Sequence, residues 1–316
     1  MLGPADVGKR VVIRRIVAVQ DNRAIFSDVL GELVEWTESN VTVRTRAGVV
    51  RVDRGDIARA KTVPAHRRLS ATESLELVTA KGWPAAESER LGDWWLRATE
   101  GWTTRGNSAL PIGDPDRPLG EAIDAVVAWY RARHLPPTIV VPVPLRRGLD
   151  AELERRGWER RPTTLVMTAS LAALSLPRRP EPVRLDLALS ADWLAVAAAR
   201  KRFLPAVALG VLTGVPEVRF PIVYGDEPAP MATARGVVTD GRWLGLSLIE
   251  TAASARRQGF AQHVIGALVD WARDVGATDA YLQVEQRNTT AVALYERLGF
   301  TVHHTYAPRV LAGSGS

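Results

Sequence analysis

The hydrophobic rhythm of the chain changes near residue 63. Before that point apolar positions fall in short, partly alternating, β-branched runs. These are Val11-Val12-Ile13, Val17-Ala18-Val19, the long run from Ala24 to Trp36, Asn40-Val41-Thr42-Val43-Arg44 and Gly48-Val49-Val50-Arg51-Val52. A period of two marks half-buried strands. Gln20-Asp21-Asn22, Glu38-Ser39-Asn40 and Ala47-Gly48 provide the turns between them. Five such strands predict a small antiparallel β-barrel over residues 1–63. Arg44, Arg46 and Arg51 are expected on its outer face, and Arg59-Ala60-Lys61-Thr62-Val63-Pro64 leads out of it.

Past residue 63 helical runs alternate with apolar strands, and they do so twice. Displaced by 142 positions, residues 121–158 fall on 263–300 without a gap. Trp129 meets Trp271, Arg131 meets Arg273, and Ile139-Val140-Val141 meets Tyr281-Leu282-Gln283. Leu153-Glu154-Arg155-Arg156-Gly157-Trp158 meets Tyr295-Glu296-Arg297-Leu298-Gly299-Phe300. Upstream, Gly101-Trp102-Thr103 falls near Trp243-Leu244-Gly245. A repeat this long exceeds solenoid periods and predicts a duplicated domain. Each copy reads strand, loop, helix, strand, helix, strand, which builds a mixed sheet covered by helices. The expected class is mixed α+β: the barrel over 1–63, a first copy over 64–180 and a second over 181–316.

Composition narrows the function classes. No uncharged apolar stretch has the length of a membrane span. Met1-Leu2-Gly3-Pro4-Ala5-Asp6 lacks the apolar run of a signal peptide, so a cytoplasmic protein without membrane attachment is expected. The lack of cysteine excludes disulfides and thiolate metal sites. The net charge of +6 raises nucleic-acid binding. Basic and acidic side chains number 11 and 8 in residues 1–63, 17 and 14 in 64–180, and 13 and 13 in 181–316. So thin a spread argues against a nucleic-acid partner. Nothing in the pattern bears on assembly state.

The two copies diverge where chemistry belongs. Opposite Arg256-Arg257-Gln258-Gly259-Phe260-Ala261 the first copy carries Asp114-Pro115-Asp116-Arg117-Pro118-Leu119. Its prolines lack amide donors and its carboxylates repel anions. Arg146 stands opposite Asn288, and Leu153 opposite Tyr295. The first copy is therefore expected to be structural or to shape the substrate site.

In the second copy, Trp243–Thr251 reads as an interior strand. A helix follows from about Gly259 through Trp271, with Ile265, Leu268, Val269 and Ala272 facing inward. The N-terminus of such a helix carries unpaired N–H groups and a partial positive charge, so it attracts anions. Gly259 and Ala261 keep it open, and Arg256 and Arg257 add charge. The same residues also suit an ordinary strand-to-helix turn. Asn288 opens the next helix, either as its cap or as a polar wedge between two strands. Tyr295, two turns on, either packs beneath Phe300 or offers a phenol to a departing thiolate.

These spacings resemble the GNAT superfamily of N-acetyltransferases. The cofactor motif of that family, Arg or Gln, two residues, Gly, one residue, Gly or Ala, matches Arg256, Gly259 and Ala261. Its later block matches Asn288, Ala291, Leu294-Tyr295-Glu296 and Gly299-Phe300. The resemblance covers about residues 183–308. The whole layout is similar to an actinobacterial GNAT group with an N-terminal Src-homology-3-like barrel, some of it labelled histone acetyltransferase. Gly101-Trp102-Thr103-Thr104-Arg105-Gly106-Asn107-Ser108 looks typical of that group. The resemblance implies acetyl-CoA (CoA) as the cofactor and acyl donor, with a primary amine of a small molecule or protein as acceptor. It implies pantetheine contacts from Ile249, Glu250 and Thr251. It implies pyrophosphate on the amides of Arg257, Gln258, Gly259, Phe260, Ala261 and Gln262. Tyr295 takes the general-acid position.

One position departs from the family. Several members carry a glutamate base where this chain has Gln283, and a glutamine amide accepts no proton at neutral pH. Glu250 or Glu285 are the candidate substitutes, alongside a water or an acceptor that arrives neutral. Strand alternation puts Gln283 and Glu285 on one face. It sends His303 and His304 to opposite faces, which weighs against paired metal ligation. Trp94-Trp95, Trp102 and the Arg105-Asn107-Ser108 patch are expected to line an acceptor cleft. A CoA-responsive binding or regulatory protein, with the barrel as its interaction module, is the alternative reading.

Overall fold

The computed structural model describes the chain except residues 1, 21–22, 46–47, 64–68, 144–145, 175, 202–203, 226–228 and 313–316. It divides into two compact units, residues 1–70 with 113–118, and residues 71–112 with 119–316.

The first unit is a five-stranded antiparallel sheet of β1 (Arg10–Gln20), β2 (Arg23–Trp36), β3 (Asn40–Thr45), β4 (Gly48–Asp53) and β5 (Ile57–Thr62). Its order is β4-β3-β2-β1-β5. The expected barrel is not closed: β4 and β5 are the two edges, and no pairing joins them among the described residues. The strand count of five holds, but its membership differs. Val11-Val12-Ile13 and Val17-Ala18-Val19 belong to one strand, because no turn residue separates them; β1 bulges against β2 between Ile16 and Ala18 instead. The fifth strand is Ile57–Thr62, which overlaps the expected exit segment from Arg59. Val11, Ile13, Leu33, Val41 and Val43 form the sealed interior. Arg44 and Arg51 are exposed, as alternation requires, and Arg44 pairs with Glu32 at 3.2 Å. Asp21, Asn22, Arg46 and Ala47 lie outside the described residues.

The second unit contains α1 (Ala71–Lys81), β6 (Glu87–Leu91), β7 (Trp94–Ala98), α2 (Leu119–Arg131), β8 (Thr138–Val143), α3 (Arg147–Arg155), β9 (Glu159–Arg160) and β10 (Thr164–Ser170). There follow β11 (Val183–Asp186), α4 (Ala191–Lys201), α5 (Ala206–Thr213), β12 (Val218–Tyr224), β13 (Pro230–Thr239) and β14 (Trp243–Thr251). The chain continues through α6 (Phe260–Asp274), β15 (Asp279–Glu285), α7 (Thr289–Leu298) and β16 (Thr301–Val310). At the offset of 142, α2, β8 and α3 fall on α6, β15 and α7. Upstream the match fails: Trp243 begins a strand, whereas Gly101-Trp102-Thr103 is a turn after β7.

The strands of the two repeats interleave. The main sheet has nine strands in the order β11-β12-β13-β14-β15-β10-β16-β8, with β9 also pairing β16. Thus β10, which ends the first repeat, lies between β15 and β16 of the second. In turn β16, which ends the second, lies against β8 of the first. The β14–β15 pair is parallel, and the other ladders between the named strands of this sheet are antiparallel.

Helix α6 shows why the sheet is covered. Val264, Ile265, Leu268, Val269 and Ala272 recur at helical spacing, each fully buried, against Leu244, Leu246, Leu282 and Phe300. Burying each larger side chain contributes about 1.5–3 kcal/mol. Helix α1 packs Leu75 and Val78 against Val140, Val166, Tyr281 and Tyr306. Arg235 is 1% exposed and donates to the carbonyls of Leu212, Gly82 and Val211, tying the chain after α1 to α5 and β13. Burial draws its guanidinium down to about 10. Among the described residues, no helix is long and apolar enough to cross a membrane.

Candidate functional site

The site begins where β14 and β15 part. They pair from Trp243–Asp279 to Leu246–Leu282 and no further. Close approach in the paired part needs Gly245, where a Cβ would collide with the Tyr281 hydroxyl. On the β13 side, β14 shifts register between its partners Thr233 and Arg235, and Leu248 takes a φ of +51°. That bulge turns the strand away from β15. Ala252 N–H donates to the Met231 carbonyl at 2.8 Å. Antiparallel alternation then points the Thr251 amide and carbonyl away from β13, into the opening.

The turn after β14 is left-handed twice, at Arg257 (φ +61°) and Gly259 (φ +87°). A side chain at Gly259 would meet nothing closer than 3.7 Å, so the backbone angle, not space, selects glycine there. Phe260 opens α6, and no side chain caps it. The Phe260, Ala261 and Gln262 amides find no acceptor among the described residues. Arg256, Arg257 and Gln258 are exposed. Arg179 joins them from outside the motif. It donates to the Gln258 carbonyl at 2.6 Å, lies 4.0 Å over the Phe260 ring and pairs with Glu181. That guanidinium holds the Glu181 carboxyl below the usual range. No local pattern links residue 179 to residue 258, so sequence reasoning missed it.

Across the opening, Asn288 caps α7: its Oδ1 accepts from the Ala291 amide at 3.3 Å. The cap role and a ligand role are compatible, because the cap engages only the oxygen. Tyr295 is 9% exposed, with its ring 6.1 Å from that of Phe300. Asn288, Ala291 and Tyr295 line one cavity of about 760 Å³. The cavity also gathers Ile249, Glu250, Gln283 and Glu285. Thr251 and Arg256 through Gln262 are not among its lining residues; they lie at the end of β14, in the turn and at the start of α6.

The carboxylates are placed unequally. Glu285 is exposed and paired with Arg287 at 2.6 Å. Glu250 is half-buried. Gln283 accepts from the Tyr306 hydroxyl at 3.4 Å. A further carboxylate, Glu76 on α1, reaches the cavity while only 3% exposed, and His304 Nε2 meets its Oε1 at 2.8 Å. The sequence did carry a sign of it, a charged residue beside Leu75 and Val78 on a buried helix face.

Two expectations are corrected. His303 and His304 do not diverge. The β10 partners Val166 and Met167 face His304 and Val302, so β16 bulges at His303 and the two imidazoles meet, Nδ1 to Nδ1, at 2.8 Å. Of the expected acceptor-cleft patch, Trp94, Trp95, Trp102 and Ser108 are not among the lining residues. Trp102 stacks on Trp83, and Ser108 receives the buried Arg97. Asn107 lines the cavity but spends its amide on the backbone of Thr99, Gly101, Trp102 and Thr103. Arg105 lines it as well, 4.8 Å over the Trp83 ring.

A mixed sheet whose central parallel pair splays beside a bulged strand, followed by a helix, is the architecture of a GNAT-type N-acetyltransferase. The family described as "Probable histone acetyltransferase Rv0428c C-terminal" matches residues 70–308, and the chain belongs to it. Over 290 residues, 88% of this chain and 87% of the relative, it is 31% identical to the probable histone acetyltransferase Rv0428c of Mycobacterium tuberculosis. It is 28% identical over 233 residues, 72% and 93% of the two chains, to the uncharacterized N-acetyltransferase YobR of Bacillus subtilis. A GCN5-related N-acetyltransferase from Kribbella flavida shares the fold at a TM-score of 0.61 and 17% identity, over 78% of this chain and 98% of that one. The protein is an acyltransferase of the GNAT kind.

Proposed function

We propose that the protein transfers the acetyl group of acetyl-CoA to a primary amine of a small molecule or of a protein, by direct attack. The observation that carries this reading is the splay of β14 from β15 with the open amides of α6 just beyond it. In this reading the amides of Arg257 through Gln262 hold the pyrophosphate, with Arg256 and Arg257 adding charge. The pantetheine arm runs along Ile249, Glu250 and Thr251 as a further strand edge, and the Asn288 Nδ2 donates to it. The amine nitrogen attacks the thioester carbon. A C–N bond forms, the C–S bond breaks, and Tyr295 protonates the departing thiolate. Backbone N–H groups of β14 polarise the carbonyl, and much of the rate comes from positioning.

The name of the Mycobacterium tuberculosis relative supports a protein amine as one class of acceptor. The test is incubation with isotopically labelled acetyl-CoA and a cell lysate, followed by mass spectrometry of small molecules and proteins. Labelled amides made by the wild type and lost in Tyr295→Phe support the reading. Tight CoA binding without any transfer would instead favour a CoA-responsive regulator.

A further inference from the structure

The reaction releases a proton from the acceptor nitrogen, and Gln283 cannot take it. Three side chains outside the motif form a continuous path for it. Glu76 lines the cavity from α1. Its Oε1 lies 2.8 Å from His304 Nε2, both side chains buried. The other nitrogen of His304, Nδ1, lies 2.8 Å from His303 Nδ1. His303 is exposed to solvent. The bulge in β16 is what lets two successive residues of a strand touch, so the backbone irregularity and the path are one feature.

We propose that Glu76 is the general base of the acyl transfer, and that His304 and His303 relay its proton from the acceptor cavity to solvent. This rests on the acetyltransferase reading above. The acceptor enters as R–NH₃⁺ and gives one proton to the Glu76 carboxylate, leaving R–NH₂ to attack. Glu76 passes that proton to His304 Nε2. His304 releases its Nδ1 proton to His303 Nδ1, and His303 loses a proton from Nε2 to water. Rotation of the imidazole rings, with His303 exchanging protons with water, restores the starting tautomers, since running the hops backwards would return the proton to Glu76. The second amine proton, set free when the amide forms, returns through water to the Tyr295 phenolate left by thiolate protonation, so that one proton in all leaves by the path.

Several charged or ionisable groups face this path. Arg97 from β7, Arg105 from the loop after it and Tyr306 from β16 act electrostatically with one another, and Arg97 and Tyr306 act with Glu76. Partial burial of its ring, and then electrostatic repulsion from His304, hold His303 below the ordinary imidazole range, while Glu76 opposes them. A neutral His303 is the form that accepts a proton. Glu285, the rival base, is exposed and engaged with Arg287.

Glu76→Gln keeps the shape and a hydrogen bond to His304. The assay follows thiol release from acetyl-CoA with ethylamine, with a lysine-containing peptide, and with water alone as acceptor. At pH 7 the variant should lose about 100-fold in kcat/KM. With the amines the deficit should shrink to about threefold as pH rises through the pKa of the amine, near 10.4 for a lysine side chain. His303→Ala should lose about tenfold and recover in imidazole buffer. A purely structural Glu76 would give a pH-independent deficit with no buffer rescue, and either result overturns the relay. A Glu76→Gln enzyme within threefold of wild type at pH 7 does the same.

Long-range proton–nitrogen spectra of the imidazoles need no acceptor. They should show His304 shifting in both variants, and an unmoved His304 would also overturn the relay. A wild type silent with both amines and with water would defeat the acetyltransferase reading. The spectra would still decide whether the path exists.

Discussion

Gly259→Ala separates the backbone geometry of the proposed pyrophosphate cradle from everything else at the site. At φ +87° an L-residue pays a left-handed penalty of about 1–2 kcal/mol. Alanine also lowers the unfolded-chain entropy, which returns about 0.4–1 kcal/mol. The new methyl meets only Gln262 Oε1 at 3.7 Å and Arg179 Cδ at 4.0 Å, so no clash is added. The net cost is therefore about 1 kcal/mol, or about 2–4 °C in Tm for a unit of this size. The larger effect should fall on the ligand. If the turn relaxes toward negative φ, the Phe260, Ala261 and Gln262 amides lose their common aim. Losing one charge-assisted hydrogen bond of about 1.5–3 kcal/mol weakens binding roughly tenfold or more.

Gly266→Ala on the same helix is the control. It sits in ordinary contact, its nearest neighbour being Leu176 Cβ at 3.7 Å, and should gain about 0.5–1 kcal/mol with CoA binding unchanged. Titration calorimetry with CoA and with pantetheine reads the outcome. Gly259→Ala should lose affinity for CoA alone, because pantetheine carries no phosphate. Equal loss for both ligands, or a Tm change with CoA binding intact, would refute the assignment of pyrophosphate to this turn.

Other substitutions divide the remaining roles. Tyr295→Phe keeps the ring packed on Phe300 and should lower kcat at least tenfold while CoA affinity stays within twofold; unchanged turnover removes the phenol from the chemistry. Asn288→Asp keeps the oxygen that caps α7 but loses the amide donor, so Tm should hold while CoA binding weakens, whereas Asn288→Ala should also cost about 1 kcal/mol of stability. Arg235→Ala strands three buried carbonyls at about 1–3 kcal/mol each, and urea unfolding should show a loss of 3 kcal/mol or more, or no folded protein. A chain of residues 181–316 alone lacks β10 and leaves β15 and β16 with open edges; it should be insoluble where residues 69–316 are soluble, and a folded fragment would contradict the interleaved order.

What the sequence disclosed follows from what each signal can carry. The inward face of α6 was readable because a 3.6-residue period reports burial directly, and the repeat offset of 142 was readable because packing residues persist in both copies. The unbroken β1 was misread because β-branched runs mark strands without marking where one stops; only a turn residue does that, and none stands between Ile13 and Val17. Arg179 was invisible because its partner lies 79 residues away. The β16 bulge was invisible for a different reason: no glycine or proline marks it, and it follows from how β10 registers against Val302 and His304.

The register of β16 and the strand order also decide where a base can stand. The motif directs attention to β15 and its neighbours in the second repeat, where Gln283 stands at the expected position. Interleaving changes which residues are neighbours. With β10 between β15 and β16, and β16 against β8, the wall of the cavity beyond Gln283 is made by Thr164, Tyr306 and Val140, and α1 packs over that wall. A carboxylate from residue 76 therefore reaches the cavity that the β14–β15 splay opens, although more than 200 positions separate it from His304. The first repeat lacks the glycine turn and the tyrosine of the second, but the exchange of final strands keeps its residues within the site. A search for the base confined to residues 181–316 examines only part of the wall that the folded chain builds.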